Sequence, residues 1–406
     1  MGVLAKRMSA VKASPIIVMA AQARALKASG LDVVSLSIGV PGFTPPAHVY
    51  AAAKAAVDAD AGDYLAGRGS AELVEAFRLS LQARGFNYGE KEICAQVGGK
   101  GALFNLFLAL LNPGDEVVIP APYWTSYPEM VKIVGGVPMT PLAGPEQAYK
   151  LTPQQLAQSL GPKVKMVVFN NPSNPTGMLY SAAEVAEIAK ILAAREDVWI
   201  ISDDIYDRLV YPAEGEAVAP GKRAAHLLDT QPMLRERLII VQSISKTYGM
   251  PGWRVGLVAA PEKVIEALMT LTSQSFTNLP GVAMAAAAAA LRGPQDFLEG
   301  QKARLLKQRD ITLAALQDMG LSCPVPEGAF YAFPHVHTLY GKVSAGGRAI
   351  TDDVSFCEAL LHEALVAVVP GGAFGDSGAV RISYAGKEAA LVEGLSRMAK
   401  FVQELR

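Results

Sequence analysis

Cysteine is scarce in this chain, and the three present, Cys94, Cys323 and Cys357, lie far apart. No disulfide framework and no zinc-type spacing can be built from them, so they read as buried thiols of a reducing compartment. Histidine is equally sparse, with five in all and His335-x-His337 as the only close pair, so no metal site is expected. An excess of one charge is missing too. The 37 Lys and Arg against 38 Asp and Glu leave a net charge of −1, which gives no electrostatic footprint for nucleic acid or an anionic membrane. Beyond the N-terminal segment the longest apolar run, Val282 to Leu291, is mostly alanine and only about half as long as a spanning helix must be. Lys6 and Arg7 precede an apolar stretch from Pro15 to Ala21, but Arg24 and Lys27 break a signal-peptide pattern early. The expectation is a cytoplasmic protein that begins with an arm and an amphipathic helix.

Two nucleotide signatures are absent as well. No Gly-x-Gly-x-x-Gly follows a strand, and the first glycine of a Walker A loop would fall at Cys94, which argues against nicotinamide and P-loop chemistry. What is present is a well-buried composition, 51% hydrophobic and 18% charged, over 406 residues. That length exceeds one compact core, so two domains are expected. Strand patterns at Ile93–Val97, Glu116–Ile119, Val164–Phe169, Val198–Ser202, Leu238–Gln242 and Arg254–Ala259 accompany helical ones, among them Lys100–Leu111 and Ser126–Val134. Helical patterns also read at 47–61 and 70–84, after a strand at Val33–Ile38. The alternation predicts an α/β fold with a mostly parallel sheet covered by helices. The last hundred residues differ, with helices over 294–319 and 387–404 flanking short strands near Gly328–Phe333, Leu365–Val369 and Val380–Ser383. They predict a smaller α+β domain.

Chemistry-bearing residues gather where strands end. In Val241-Gln-Ser243-Ile-Ser245-Lys246, a β-branched strand runs into two hydroxyls and a lysine, with Arg254 eight residues on. Hydroxyl donors and a planar guanidinium suit a phosphate, and a lysine behind so apolar a strand needs a partner or a task. Gly98-Gly99-Lys100-Gly101 opens a helix with free backbone N–H groups, a possible anion site or a plain strand–helix turn. Ile201-Ser202-Asp203-Asp204-Ile205-Tyr206 ends another strand in carboxylates and a phenol, facing the crevice where such sheets bind ligands; an Asp203 that only caps the turn is the alternative. Asn170 to Gly177 holds two X-Pro steps in a rigid loop at a third strand end. Arg381, between apolar residues of a strand, needs an anionic partner if buried and none if exposed at an edge.

The ordered set Gly39, Tyr64, Gly99-Lys100, Trp124, Asn174, Asp203, Tyr206, Ser243, Lys246, Arg254, Arg381 resembles, from the arm to the last helix, the pyridoxal-phosphate enzymes of fold type I, specifically class I aminotransferases close to the aspartate aminotransferases. The resemblance implies a fold type I transferase divided into an arm and start of the small domain (1–46), a large cofactor-binding domain (47–293) and a small C-terminal domain (294–406). It implies that Lys246 bonds covalently to pyridoxal 5'-phosphate and later moves the substrate proton. A lysine with a pKa of about 10.4 would need roughly 4–5 kcal/mol of destabilisation of its ammonium, from burial and Arg254, to reach neutrality near pH 7. By the same resemblance Asp203 pairs with the pyridine nitrogen, Tyr206 and Asn174 bond the ring's phenolic oxygen, and Trp124 stacks on the ring. Ser243, Arg254 and the backbone at Gly99 and Lys100 hold the phosphate. Tyr64 reaches the phosphate of a neighbouring subunit, which implies a homodimer with shared sites. Arg381 clamps the α-carboxylate, helped by Gly39 and Asn174.

For substrate, the resemblance implies an amino acid and a 2-oxo acid, with aspartate and 2-oxoglutarate the expected pair. Residues 255–291 hold no arginine for a distal carboxylate, and relatives with Gly-Gly-Lys use that lysine, here Lys100. Gly42, where relatives carry aspartate, and the bulky Phe276 leave an aromatic, prephenate-like or neutral donor open. A carbon–sulfur β-lyase of the same fold shares the cofactor residues and stays open too. A ligand-sensing regulator would need a basic DNA-binding extension before this pattern, and the pattern begins within the first forty residues.

Overall fold

The computed structural model describes residues 4–59, 62–212 and 221–406. In chain order its strands are β1 (Val34–Ser35), β2 (Ile93–Val97), β3 (Glu116–Val118), β4 (Val137–Met139), β5 (Val164–Asn170), β6 (Trp199–Asp203), β7 (Leu238–Ser243), β8 (Val255–Ala259), β9 (Tyr331–Ala332), β10 (Val366–Ala367), β11 (Val369–Pro370) and β12 (Val380–Ser383). Seven of them form the central sheet in the order β2-β8-β7-β6-β5-β3-β4. All neighbours in it are parallel except β8, which runs antiparallel to both β2 and β7.

Side chains alternate across this sheet, as a two-residue period demands. Leu238 and Ile240 of β7 enter one core with Ile200, Val167 and Leu257, while Ile239 and Val241 enter the other with Ile201, Val168 and Val258. A sheet covered on both faces reads as continuous apolar runs, which is why its strands stand out in the sequence. A third core joins Met19, Val33 and Leu36 to residues of helices Phe297–Asp318, Asp353–Glu363 and Glu388–Gln403. Over it lie the antiparallel set β11-β12-β9 and the parallel pair β1-β10.

Register places the site. Asn170 of β5 lies opposite Asp203 of β6, Asp203 opposite Val241 of β7, and Ser243 opposite Gly256 of β8. The carboxyl ends of β5, β6 and β7 therefore share one edge. Because β8 runs the other way, its start lies on that edge too, with Val255 opposite Val97. Arg254 is not in the strand as expected, because it adopts a left-handed φ of 58° and turns the chain there. The helix expected from Lys100 begins earlier and runs Gly98–Leu110, with Gly98 at φ 67° and its N–H bonded to the Arg254 carbonyl. The strand expected at Val33–Ile38 pairs over only two residues. The helix expected over 47–61 is Ala47–Asp58, and positions 60 and 61 lie outside the described residues. Among the described residues no helix is long and apolar enough to cross a membrane.

Candidate active site

At that edge opens a cavity of about 210 Å³, lined by Gly39, Gly99, Lys100, Trp124, Asn174, Asp203, Tyr206, Lys246 and Arg381 among others. Nine of the sequence-predicted residues thus meet in one place. Lys246 enters from the helix Ile244–Thr247, which Ser243 caps by accepting the Ser245 N–H. Its Nζ donates to the Gly39 carbonyl at 2.6 Å. Burial lowers its pKa to about 8, with Arg381 and then Arg254 adding to the effect and Asp203 opposing it. The direction agrees with the sequence expectation, although Arg381 ranks ahead of Arg254.

Asp203, 4% exposed, closes the far side of the cavity. One carboxylate oxygen accepts from the Tyr127 hydroxyl at 2.5 Å and the other from the Ile205 N–H at 3.3 Å. Burial raises its pKa to about 6 against these donors. Its neighbour Asp204 turns away. There Ser202 donates to it at 2.6 Å and His226 Nε2 lies 3.2 Å off; burial pushes its pKa up, yet His226 and Arg84 outweigh that and leave it lowered. Only the first carboxylate of the pair serves the cavity.

Arg381 is 1% exposed. Its Nη1 donates to Asn174 Oδ1 at 2.9 Å and its Nη2 to the Ser37 carbonyl at 2.7 Å, while Nε has no partner among the described residues. Its guanidinium carbon lies 4.5 Å from the Tyr331 ring centroid and 4.9 Å from that of Phe374. No carboxylate among the described residues neutralises it. A buried cation held only by neutral groups and aromatic faces is costly unless an anion arrives from outside.

Lys100 holds its Nζ 4.9 Å from the Trp124 ring centroid, and burial followed by Arg254 lowers its pKa. Arg254 lines an adjoining cavity of about 930 Å³ with Lys12, Lys100 and Phe276. It packs against Gly98, where a Cβ would collide with the guanidinium. Ser243 lies in the wall, its Cβ 3.7 Å from where a Gly99 Cβ would stand, and does not line the main cavity. Tyr64 is 88% exposed and lines no cavity of its own chain described here. Gly42, whose departure from the aspartate of relatives left an aromatic, prephenate-like or neutral donor open, does not line the cavity either. It sits at φ 73° with the Ala385 carbonyl where a Cβ would go, so backbone packing accounts for the glycine.

Several residues here were not foreseen. Tyr127 stands one helical turn after Trp124 and their rings meet edge-on at 5.2 Å, a three-residue spacing that offered a signal. Tyr331, whose hydroxyl is 2.9 Å from that of Tyr206, comes from β9 and carried no local cue. Asn170 braces the strand ends, donating to the Asp203 carbonyl at 2.8 Å and accepting from the Asn174 N–H at 3.0 Å. From the arm, Ser14, Ile16 and Ile17 reach the cavity.

The aminotransferase class I and II family model matches residues 31–398. An aspartate/prephenate aminotransferase of Cereibacter sphaeroides is 42% identical over 403 residues, 99% of each chain. An aspartate aminotransferase of Rhizobium meliloti is 40% identical, covering 97% of this chain and 95% of its own. Among solved structures, the aspartate aminotransferase of Rhizobium meliloti superposes with a TM-score of 0.94 at 38% identity over the whole of both chains. That of Thermus thermophilus with maleate gives 0.90 at 34%, covering 99% of this chain and 100% of the other. A cavity that combines a lysine of lowered pKa, a buried carboxylate and an unpaired buried arginine sits on a fold shared end to end with these proteins, and the chain belongs to the class I and II aminotransferase family.

Proposed function

We propose that this aminotransferase works with pyridoxal 5'-phosphate and moves the amino group of aspartate, or another acidic donor, to a 2-oxo acid, 2-oxoglutarate being the expected acceptor. The observation that carries the reading is Arg381, a fully buried guanidinium without a carboxylate partner among the described residues, on the wall of the cavity that holds Lys246. Relatives named aspartate aminotransferase support the donor.

The residues present fit the cofactor. Lys246 offers an amine for the aldehyde carbon, Asp203 a buried carboxylate for the pyridine nitrogen, Tyr206 and Asn174 polar groups for the ring's phenolic oxygen, and Trp124 an aromatic face. The helix start at Gly99 and Lys100 offers backbone N–H groups beside Arg254, with Ser243 behind Gly99, a setting for phosphate. When bound, the cofactor supplies an electron sink for the pair left at Cα after its proton leaves.

The chain does the rest. Arg381 grips the α-carboxylate, with the Asn174 amide beside it, and so orients the Cα–H bond. Burial brings the Lys246 amine of the empty site to a pKa of about 8, so about a tenth of it is neutral at pH 7, against less than about one part in a thousand for a free lysine, which suits Nζ to act as a base. Lys246 Nζ would take the Cα proton and carry it for the later protonation. Asp203 keeps the ring nitrogen protonated through its charge. A second 2-oxo acid, held by the same arginine, runs the sequence backwards. We place Lys246, Asp203 and the other cofactor-holding residues in a large unit, 47–293, and Arg381 in a small C-terminal unit, 294–406, preceded by an arm and start of the small unit, 1–46, in a cytoplasmic homodimer whose exposed Tyr64 serves the neighbouring subunit.

A second reading, an aromatic or prephenate-type donor, is favoured by the apolar wall of Ile16, Ile17 and Leu103. Lys100 decides between them. Replacing it by alanine removes one charge-assisted contact to an acidic side chain, so Lys100→Ala should lower kcat/KM for aspartate by about 10- to 100-fold and barely change that for phenylalanine. Equal losses for both remove Lys100 from donor selection and favour the second reading.

A further inference from the structure

Tyr206 and Tyr331 place their hydroxyl oxygens 2.9 Å apart, with rings nearly perpendicular at 83°. Both phenols line the cavity, and each makes only this one hydrogen bond within the described residues. Two hydrogens therefore serve one bond: one phenol donates, and the other keeps its hydrogen for the cavity. Which one donates follows from their neighbours. The Arg381 guanidinium lies over the Tyr331 face at 4.5 Å, and a cation there draws electron density from the phenol oxygen and makes its hydrogen the more acidic. At Tyr206, burial first and then Tyr331 act against ionisation, with the Asp203 carboxylate adding to them and Arg381 opposing. Burial raises both pKa values, well above the ordinary value for Tyr206, and at Tyr331 Arg381 is the first influence to pull back. No carboxylate bonds either hydroxyl among the described residues. On the remaining side a Cβ at Gly39 would collide with the Tyr331 oxygen, so the glycine leaves that hydroxyl its place.

We propose that Tyr331 is a positioning residue, donating its hydrogen to Tyr206 so that the Tyr206 hydrogen turns into the cavity toward the cofactor's phenolic oxygen. It ties the carboxylate-binding arginine to the cofactor site through a single phenol. The inference rests on the role given to Tyr206 above.

The test is a pH titration of the visible absorption of the cofactor-loaded enzyme. A hydrogen bond given to the phenolic oxygen stabilises its anionic form and lowers the pH of the colour change. Tyr331→Phe keeps the aromatic face over Arg381 but removes the donor behind Tyr206. It should raise that pH by about half a unit, as expected for one weakened link in a hydrogen-bond chain. Tyr206→Phe should raise it further, and the double variant no higher than Tyr206→Phe alone. With Tyr331→Phe, kcat should fall several-fold while KM for the donor stays within about twofold, because the carboxylate grip is kept. A colour change unmoved by Tyr331→Phe but moved by Tyr206→Phe overturns the link and leaves the role of Tyr206 intact. So does a Tyr331→Phe shift that persists in the Tyr206→Phe background. If neither variant moves it, the role of Tyr206 in the proposed function fails, and the link with it.

Discussion

At the scale of single residues, Asp203 shows how this site holds an unfavourable charge. Burial lifts its pKa from 3.8 to about 6, so the folded chain keeps that proton to a higher pH than the unfolded chain does. The stabilising contribution is complete below about pH 4 and is lost as pH rises through about 6, above which an ionised carboxylate is buried at a cost. Asparagine in its place can still accept from Tyr127 and never ionises. Asp203→Asn should therefore stabilise the cofactor-free protein above pH 6, by up to about 3 kcal/mol for a two-unit shift, and leave it unchanged near pH 4. Thermal melts of both proteins at pH 4 and pH 8 check this, and equal melting temperatures at pH 8 contradict it. The same variant should lose most of its turnover, because the charge that is costly in the empty site is the one the pyridine nitrogen needs.

At the scale of elements, the site depends on β8 passing close beneath the glycine turn that opens the helix Gly98–Leu110. A Cβ on Gly256 would collide with the backbone of Gly98 and Gly99. Gly256→Ala should cost about 3 kcal/mol, the upper end for overpacking, and weaken cofactor binding because the N–H groups at Gly99 and Lys100 move. A cofactor titration followed by fluorescence, together with a melt, tests both; unchanged affinity would separate the turn from phosphate binding. The sequence was most legible for such buried elements. β2 has the bounds the pattern predicts, and β5, β6 and β7 each differ by a residue or two, because strands of a sheet covered on both faces leave continuous apolar runs. The helix expected over 70–84 is Ala71–Gln82, capped by Ser70, which accepts the Leu73 N–H. Less legible were pieces made by distant contacts. The antiparallel run of β8, the two-residue β9 that carries Tyr331, and the Ala385 carbonyl that excludes a side chain at Gly42 depend on partners tens to hundreds of residues away. No local spacing encodes them.

At the scale of the whole molecule, a chain that gathers nine predicted residues in one cavity leaves Tyr64 88% exposed. If a second copy supplies that tyrosine, an inactive Lys246→Ala subunit still offers Tyr64 to a partner that keeps Lys246 but carries Tyr64→Ala. Mixing the two variants through co-refolding should recover about a quarter of wild-type activity, from one intact site in half of the dimers. Activity no higher than the mean of the two parents would contradict a shared site. The central claim is that Lys246 and Arg381 serve amino-group transfer from an acidic donor. It is tested most directly by the visible spectrum of the cofactor-loaded protein while aspartate, glutamate, phenylalanine and alanine are added one at a time with no acceptor. The account predicts that aspartate in excess converts the absorption, with up to one oxaloacetate released per site, and that the change persists until added 2-oxo acid restores it. An absorption that aspartate leaves unchanged, or one that recovers unaided while pyruvate and ammonia accumulate, would contradict it.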